Sequence, residues 1–149
     1  MHLKHKITDP ECSDFSALTN ELNVALKEIT SDTGESSFLR DEFCPTTDGC
    51  LVVYSKGKAV ACGLFRKHND SSCELKRMYS NVKGAGSYLI LQLESYAAHK
   101  GYEHAILSTR ILNKTAISFY KHHGYREIDA YGKYAHTNSS ICLGKALTI

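Results

Sequence analysis

The spacing of apolar residues changes along the chain and predicts where helices and strands lie. Residues 3–7 alternate between apolar and polar side chains, which is typical of a short strand. Apolar residues then recur at three- and four-residue spacing, which predicts a helix with one buried face and Asp14 as its N-cap. The apolar stripe consists of Phe15, Leu18, Leu22, Ala25, Leu26 and Ile29. A shorter helix is predicted over residues 37–43.

After Pro45 the apolar runs become short and rich in residues that favour strands. Residues 50–54 and 59–65 form two such runs, separated only by the turn-like residues 55–58, so they predict an antiparallel hairpin. Residues 73–79 alternate polar and apolar side chains and predict a third strand. The first half of the sheet is therefore expected to be an antiparallel meander.

The second half of the chain alternates strands with helices. A glycine-bearing loop over residues 80–87 precedes a helix that Gly101 ends, and residues 105–107 form the core of the next strand. Asn113 is a good N-cap for a further helix, and residues 140–146 predict a last strand. Because a strand–helix–strand unit of this length needs a parallel crossover, we expect an α/β (α+β) fold. Its mixed central sheet has antiparallel N-terminal strands followed by β-α-β-α-β, and about four helices flank it.

The composition is typical of a globular domain and argues against several other classes. The chain has 149 residues, 42% hydrophobic and 23% charged, which favours one domain over residues 1–149 and argues against disorder or coiled coil. The formal net charge of +2 does not require nucleic acid or an anionic membrane as partner. Six scattered cysteines without a CxxC pair, and an N-terminus without a signal-peptide pattern, favour free thiols in a reducing cytoplasm.

The glycine loop before the second long helix is a candidate anion site. Unpaired N–H groups converge at a helix N-terminus, and glycines let a phosphate approach the backbone. The Walker A motif is absent because Lys83 precedes the glycines, and the dinucleotide fingerprint fails because Leu89 occupies the position of its third glycine. The pattern Gln/Arg-x-x-Gly-x-Gly/Ala is met in its last three positions, Gly84-Ala85-Gly86, with Asn81 in the first.

This pattern and its neighbours resemble the GNAT acetyltransferases, and in particular a subgroup of small bacterial-type members. The resemblance rests on the sequences ELKRMY (residues 74–79), NKTAISFYKHHGYREI (residues 113–128) and YGKY (residues 131–134), together with the glycine loop. It covers about residues 58–145. The loop before the glycines is several residues shorter than in similar family members, and we expect Lys83 to supply the charge that an arginine supplies there.

The resemblance implies an acetyl-CoA-dependent N-acetyltransferase that needs no metal. It would move the acetyl group to a small-molecule or peptide amine by direct attack. Tyr120 occupies the family's general-acid position, and a phenol with a pKa of about 10 can protonate a departing thiolate with a pKa of about 8.5. Glu74 is the candidate base, acting through a water molecule. The residues implied in binding the coenzyme are Met78, Tyr79, Ser80, Lys83, Gly84, Ala85, Gly86, Ser87, Asn113, Ala116 and Phe119. The family also suggests a homodimer.

Other interpretations stay open at this point. Tyr120 is also consistent with a tyrosine of the core, and Glu74 is also consistent with an ion-paired carboxylate on a strand. A chain of water molecules could remove the proton from the amine in place of a single base. The chain is also consistent with a CoA-binding sensor or interaction module without turnover, or with a nucleotide-binding domain of unrelated fold. The aromatic loop over residues 131–134 is a candidate to close over the acceptor.

Overall fold

The computed structural model describes residues 2–33 and 42–148 of the chain. Within these ranges, strands and helices follow one another largely as the apolar pattern predicts. The strands are β1 (Leu3–Thr8), β2 (Gly49–Ser55), β3 (Lys58–Lys67), β4 (Ser72–Ser80), β5 (His104–Arg110), β6 (Arg126–Glu127) and β7 (Ser140–Ala146). The helices are α1 (Ser13–Thr30), α2 (Ala85–His99) and α3 (Lys114–His122), and a 3-10 helix spans Gly132–His136.

The strands form a mixed seven-stranded sheet in the order β1-β2-β3-β4-β5-β7-β6. Neighbouring strands are antiparallel except for β4 and β5, which run parallel. The predicted hairpin is β2–β3, with Ser55 opposite Lys58, and the predicted parallel crossover is β4–α2–β5. The second crossover ends in β6, which lies beyond β7 at the edge of the sheet. The predicted mixed α/β fold is confirmed.

The parallel pair β4–β5 is joined over a short distance only. Residues 72–74 of β4 pair with residues 104–106 of β5, and no pairing joins the two strands beyond Glu74 and Ile106. The outer part of β5 keeps its pairing with β7 up to Arg110, and the outer part of β4 keeps its pairing with β3 up to Ser80. The sheet is therefore split at the carboxyl ends of its two central strands.

Helices cover both faces of the sheet, so the inner strands are buried on both sides. On β2, Cys50 and Val52 pack with the apolar face of α1, whereas Leu51 and Val53 join the larger core under α2. This alternation follows from the period of two along a strand. Helix α3 lies on the same side as α2, because Tyr120 belongs to the larger core. Tyr125, just after α3, packs there as well.

Two details of the first helices differ from the prediction. Helix α1 has Cys12 as its N-cap, so the assignment of Asp14 as the cap is wrong. Asp14 lies in the first turn, where an acidic side chain suits the helix dipole, and its carboxylate accepts a 2.6 Å hydrogen bond from the Tyr54 hydroxyl. Ile29, at the end of the predicted stripe, is 44% exposed. The described residues contain three α-helices, and residues 37–41 of the predicted short helix lie outside them.

The cysteines are free thiols, in agreement with the sequence analysis. Cys50, Cys62, Cys73 and Cys142 are buried, and burial raises the pKa of Cys62 to about 12. These buried cysteines act as small apolar core residues. None of the described helices is long and apolar enough to cross a membrane.

Candidate active site

A cleft of about 360 Å³ lies at the split between β4 and β5. Its walls come from the last turns of α1, from residues 75–78 of β4 and 107–110 of β5, and from α3 and the segment before β7. Because ligands in open α/β sheets bind outside the carboxyl ends of strands, this cleft is the natural candidate site. Four residues predicted for the site line it: Met78, Asn113, Ala116 and Tyr120.

A β-bulge in β4 shapes one wall of the cleft. The register between β3 and β4 shifts between Cys62 and Leu64, and Arg77 has a positive φ of 55°. Such a bulge redirects side chains within a strand. The Arg77 guanidinium donates to the carbonyl oxygens of Thr19 and Thr33 and to the Asn23 side chain, which ties β4 to α1. The next residue, Met78, packs against the core on the α2 side.

The glycine loop lies at the same end of the sheet and contacts α3. Gly84 is the N-cap of α2 with φ 90°, a conformation that suits glycine, and no side chain caps the helix. The first-turn amides of α2 therefore have no side-chain acceptor among the described residues. A Cβ on Gly86 would lie 3.0 Å from Ser80 Oγ and 3.4 Å from the Phe119 ring. The loop and the first turn of α2 form what we call the glycine cradle, in which Gly86 packs closely against Ser80 and Phe119.

Two further contacts fix the loop against α3. The hydroxyl of Ser87, in the first turn of α2, is 3.0 Å from His123 Nε2. The rings of Phe119 and His123 pack with centroids 4.7 Å apart. Desolvation, followed by the nearby His122, lowers the pKa of His123, so its ring is neutral at pH 7. The structure thus brings Ser80, Gly86, Ser87 and Phe119 together beside the cleft.

The remaining residues predicted to bind the coenzyme have different surroundings. The Tyr79 hydroxyl donates to Glu21 of α1, so its side chain points away from α2. Lys83 is exposed, and Ala85 is buried in the first turn of α2. Asn113 caps α3: its side-chain oxygen accepts a 3.3 Å hydrogen bond from the Ala116 N–H, so the N-cap prediction is confirmed.

Tyr120 combines a buried ring with access to the cleft. It is only 8% exposed, and its ring packs edge-on against Phe119 and Tyr125. Burial raises its pKa, so the hydroxyl keeps its proton. Among the described residues, this hydroxyl has no hydrogen-bond partner. It is available to a ligand in the cleft.

Glu74 lies in a buried network of charges instead of in the cleft wall. One carboxylate oxygen accepts from Arg66 Nε at 3.1 Å, and the other accepts a 2.7 Å hydrogen bond from the Tyr131 hydroxyl. Lys76 Nζ is 3.3 Å from Glu74 Oε2 and donates to the Tyr134 hydroxyl at 3.0 Å. Tyr134 lines the cleft, so the network connects the aromatic loop of residues 131–134 to β4.

The loop of residues 131–134, a candidate from the sequence, contributes Lys133 and Tyr134 to the cleft lining. Sequence reasoning missed Ser108 and Arg110, which follow the apolar core of β5 and also line the cleft. The change from the apolar run of residues 105–107 to the polar residues 108–110 was the available signal. It indicates that the outer part of β5 faces a polar space. No group of three or more His, Cys, Asp or Glu side chains in the described ranges is arranged to hold a metal ion.

The comparison with known protein families agrees with this geometry. The family model for the acetyltransferase (GNAT) family matches residues 15–125, which is most of the chain. The chain belongs to the GNAT acetyltransferase family. The match spans α1, the split sheet, the glycine loop and α3, so every wall of the cleft except the segment before β7 lies within the GNAT match. No curated protein matches the chain.

Solved structures with the same fold cover nearly the whole GNAT chain. A Klebsiella pneumoniae protein assigned as an acyl-CoA N-acyltransferase is 26% identical, with a TM-score of 0.82 and 98% of each chain covered. The PaiA N-acetyltransferase of Thermoplasma acidophilum, solved with coenzyme A, is 17% identical, with a TM-score of 0.73 and coverage of 98% of this chain and 99% of that one. Ard1 of Thermoplasma volcanium is 14% identical, with a TM-score of 0.66 and full coverage of both chains. The last two similarities concern the fold alone.

Proposed function

We propose that this GNAT protein is an N-acetyltransferase that uses acetyl-CoA and a primary amine. The observation that carries the proposal is the split between β4 and β5, which has the glycine cradle at the same end of the sheet and Tyr120 in its wall. A cleft that passes between two strands gives access to both faces of the sheet. Two substrates can therefore meet in it from opposite sides.

The glycine cradle fits the pyrophosphate of a coenzyme. Its support is the first turn of α2, which has no side-chain cap and whose N-terminal end attracts anions. The residues that would hold the coenzyme are the backbone of Met78 to Ser80, the loop of residues 83–87, and α3 through Asn113, Ala116 and Phe119. Lys83 is exposed beside them and adds positive charge.

When bound, acetyl-CoA supplies a thioester: a C–N bond to the amine forms, the C–S bond breaks, and the proton lost by nitrogen is balanced by one gained by sulfur.

Tyr120 is the proposed proton donor to the departing sulfur. Its hydroxyl is protonated and has no competing partner among the described residues. Burial raises the pKa of the phenol, which makes it a weaker acid. The same burial raises the pKa of a thiol in the cleft, so the two groups stay matched.

Water is the proposed acceptor of the amine's proton. Both carboxylate oxygens of Glu74 already have partners: one accepts from Arg66, and the other accepts from Tyr131 and faces Lys76. This arrangement supports the ion-paired interpretation of Glu74 over its interpretation as the base. In its proposed role Glu74 holds the aromatic loop of residues 131–134 against β4.

A Glu74→Gln variant separates these two roles. Because the amide keeps the shape but loses the charge facing Arg66 and Lys76, we expect a loss of about 1–3 kcal/mol in the free energy of unfolding. The acid limb of the pH–rate profile should stay in place, since water and not the carboxylate takes the proton. Denaturant unfolding and the pH dependence of kcat/KM measure the two effects. A profile that loses its acid limb would assign the base to Glu74.

Ligand binding and turnover test the proposed function directly. Acetyl-CoA at about 100 times its Kd should raise Tm by roughly 5–10 °C, because a ligand that binds only the native state stabilises it. Release of free thiol in the presence of an amine panel should then identify the acceptor. Stabilisation without thiol release on any amine would favour the CoA-binding module over the enzyme.

A Gly86→Val variant should abolish the acetyl-CoA shift in Tm. The added side chain fills the space between Ser80 and Phe119, where the cradle admits no Cβ without displacement. Ser95→Val is the matched control: it places the same β-branched residue on an exposed position of α2. A Gly86→Val protein that keeps the full shift would show that the coenzyme does not use this cradle.

Three predictions from the sequence remain predictions: one domain over residues 1–149, a homodimer and a cytoplasmic location. Sedimentation of the purified chain over a range of concentrations tests the homodimer.

A further inference from the structure

Two polar atoms in the cleft wall are buried without a hydrogen-bond partner. They are Ser108 Oγ and Arg110 Nε, and they are the only such side-chain atoms among the described residues. Both belong to β5 and are two positions apart, so they lie on the same face of the strand. Both residues line the cleft. The face is the one toward α1, because Arg110 contacts Asp32, two residues after the end of that helix.

The chemistry of these atoms defines what would complement them. The guanidinium Nε–H is a donor only, and a serine hydroxyl donates readily. A buried donor without an acceptor costs free energy, and such a group in a native protein calls for an explanation. A ligand with acceptor oxygens, brought to this part of the cleft, would satisfy both donors.

The charge of the cleft favours an anionic ligand group. The cationic residues in its lining are Lys76, Arg77, Arg110 and Lys133. Among the described lining residues, Asp32 is the only carboxylate. Its oxygen is 3.5 Å from Arg110 Nη1, which is longer than the about 2.7–2.9 Å of a strong charge-assisted hydrogen bond. Lys76 is paired with Glu74 behind the lining, and the other three cations still outnumber the single carboxylate of the described lining.

We propose that the acetyl acceptor is a small amino acid, whose carboxylate binds Arg110 and Ser108. This inference rests on the proposed function and names the acceptor class for that same site. The carboxylate would lie on the α1 side of the split sheet, with the amine directed toward the opening near Tyr120. A cleft of about 360 Å³ suits a small molecule. A polyamine would instead bring like charges against Arg110 and Lys133, which is unfavourable.

Matched acceptors test the carboxylate requirement. The panel contains the common amino acids, the same amino acids as carboxamides, and the polyamines putrescine and spermidine, each assayed by thiol release with acetyl-CoA. We expect the preferred amino acid to have a kcat/KM about 10- to 100-fold above that of its carboxamide, as the loss of a charge-assisted contact predicts. Carboxamides or polyamines that equal or exceed the acids would overturn the proposal.

An Arg110→Gln variant tests the assigned residue. It should raise KM for the preferred amino acid by about 10- to 100-fold while leaving the carboxamide nearly unchanged. Arg126→Gln, an exposed arginine on β6, is the matched control and should alter neither value. Equal losses for the acid and the carboxamide would mean that Arg110 has only a structural role.

Ser108→Ala should raise KM for the acid without lowering Tm, because the removed hydroxyl has no partner in the described part of the chain.

Binding measurements keep this inference separate from the proposed function. If no amine is turned over, the proposed enzyme activity fails. The acceptor site is then tested by the Tm of the protein with coenzyme A and each probe. A shift with the amino acid that its carboxamide does not give, and that Arg110→Gln loses, supports the carboxylate site. The absence of any such difference refutes it.

Discussion

Tyr120→Phe should lower kcat by about 100-fold or more, since general acid catalysis typically contributes 10²–10⁴-fold. The variant removes one oxygen atom from a ring that is packed by Phe119 and Tyr125, so the shape of the cleft wall is retained. The hydroxyl has no partner among the described residues, and its loss should leave Tm nearly unchanged. The KM for acetyl-CoA should also be unaffected. Steady-state thiol release and thermal unfolding measure the three quantities.

Tyr96→Phe is the matched control for this experiment. Tyr96 lies on α2 and packs edge-on against Phe65, away from the residues that line the cleft. Removing its hydroxyl should change neither kcat nor KM. If Tyr120→Phe turned over at the wild-type rate, the proton would reach the sulfur from another source, and the assignment of Tyr120 would be withdrawn.

Glu94→Ala should cause a large loss of stability, about 3–5 kcal/mol, as expected when one partner of a buried ion pair is removed. The Glu94 carboxylate accepts a 2.7 Å hydrogen bond from the Tyr125 hydroxyl and a 2.9 Å hydrogen bond from Lys145 Nζ. It thereby joins α2 to the segment after α3 and to β7. Its removal leaves a buried phenol and a half-buried ammonium without their acceptor. The free energy of unfolding from denaturant titration measures the loss.

Two variants define the cause of this effect. Glu94→Gln keeps an acceptor for Tyr125 but loses the charge that faces Lys145, so its loss should be intermediate. Glu28→Ala, at an exposed position of α1, should stay within about 0.5 kcal/mol of the wild type. A Glu94→Ala protein as stable as the wild type would mean that the hydrogen bonds of Glu94 make no net contribution to the free energy of unfolding.

The periodic parts of the fold were predictable from the sequence. The change from period two to helical spacing located β2, β3, α2 and α3, because the burial of one face or both faces imposes those periods. Local chemistry was equally informative at Asn113, which caps α3, and at Gly101, which has φ 105° after α2. Each of these predictions depends on a few neighbouring residues, so a single sequence contains the needed information.

The features that depend on distant residues were not predictable. The bulge at Arg77 is held by contacts with Thr19, Asn23 and Thr33, all more than forty residues away in sequence. Asp14 is of a residue type that often caps helices, but it lies in the first turn of α1, where its carboxylate accepts from the Tyr54 hydroxyl of β2. The polar run of residues 108–110 indicates that the outer part of β5 has polar surroundings, but the cleft that Ser108 and Arg110 line is formed where β4 separates from β5, which depends on distant residues. In each case a tertiary contact determines the outcome.

The short pairing of β4 with β5 has a consequence for how the protein holds together. Only three residues of each strand join the half of the sheet made by β1 to β4 to the half made by β5 to β7. Each half is antiparallel and internally well paired, so the backbone pairing of the sheet is weakest along the line between them. A ligand that contacts both walls of the cleft joins the two half-sheets across this line. Part of its binding free energy therefore stabilises the half-sheets against separation.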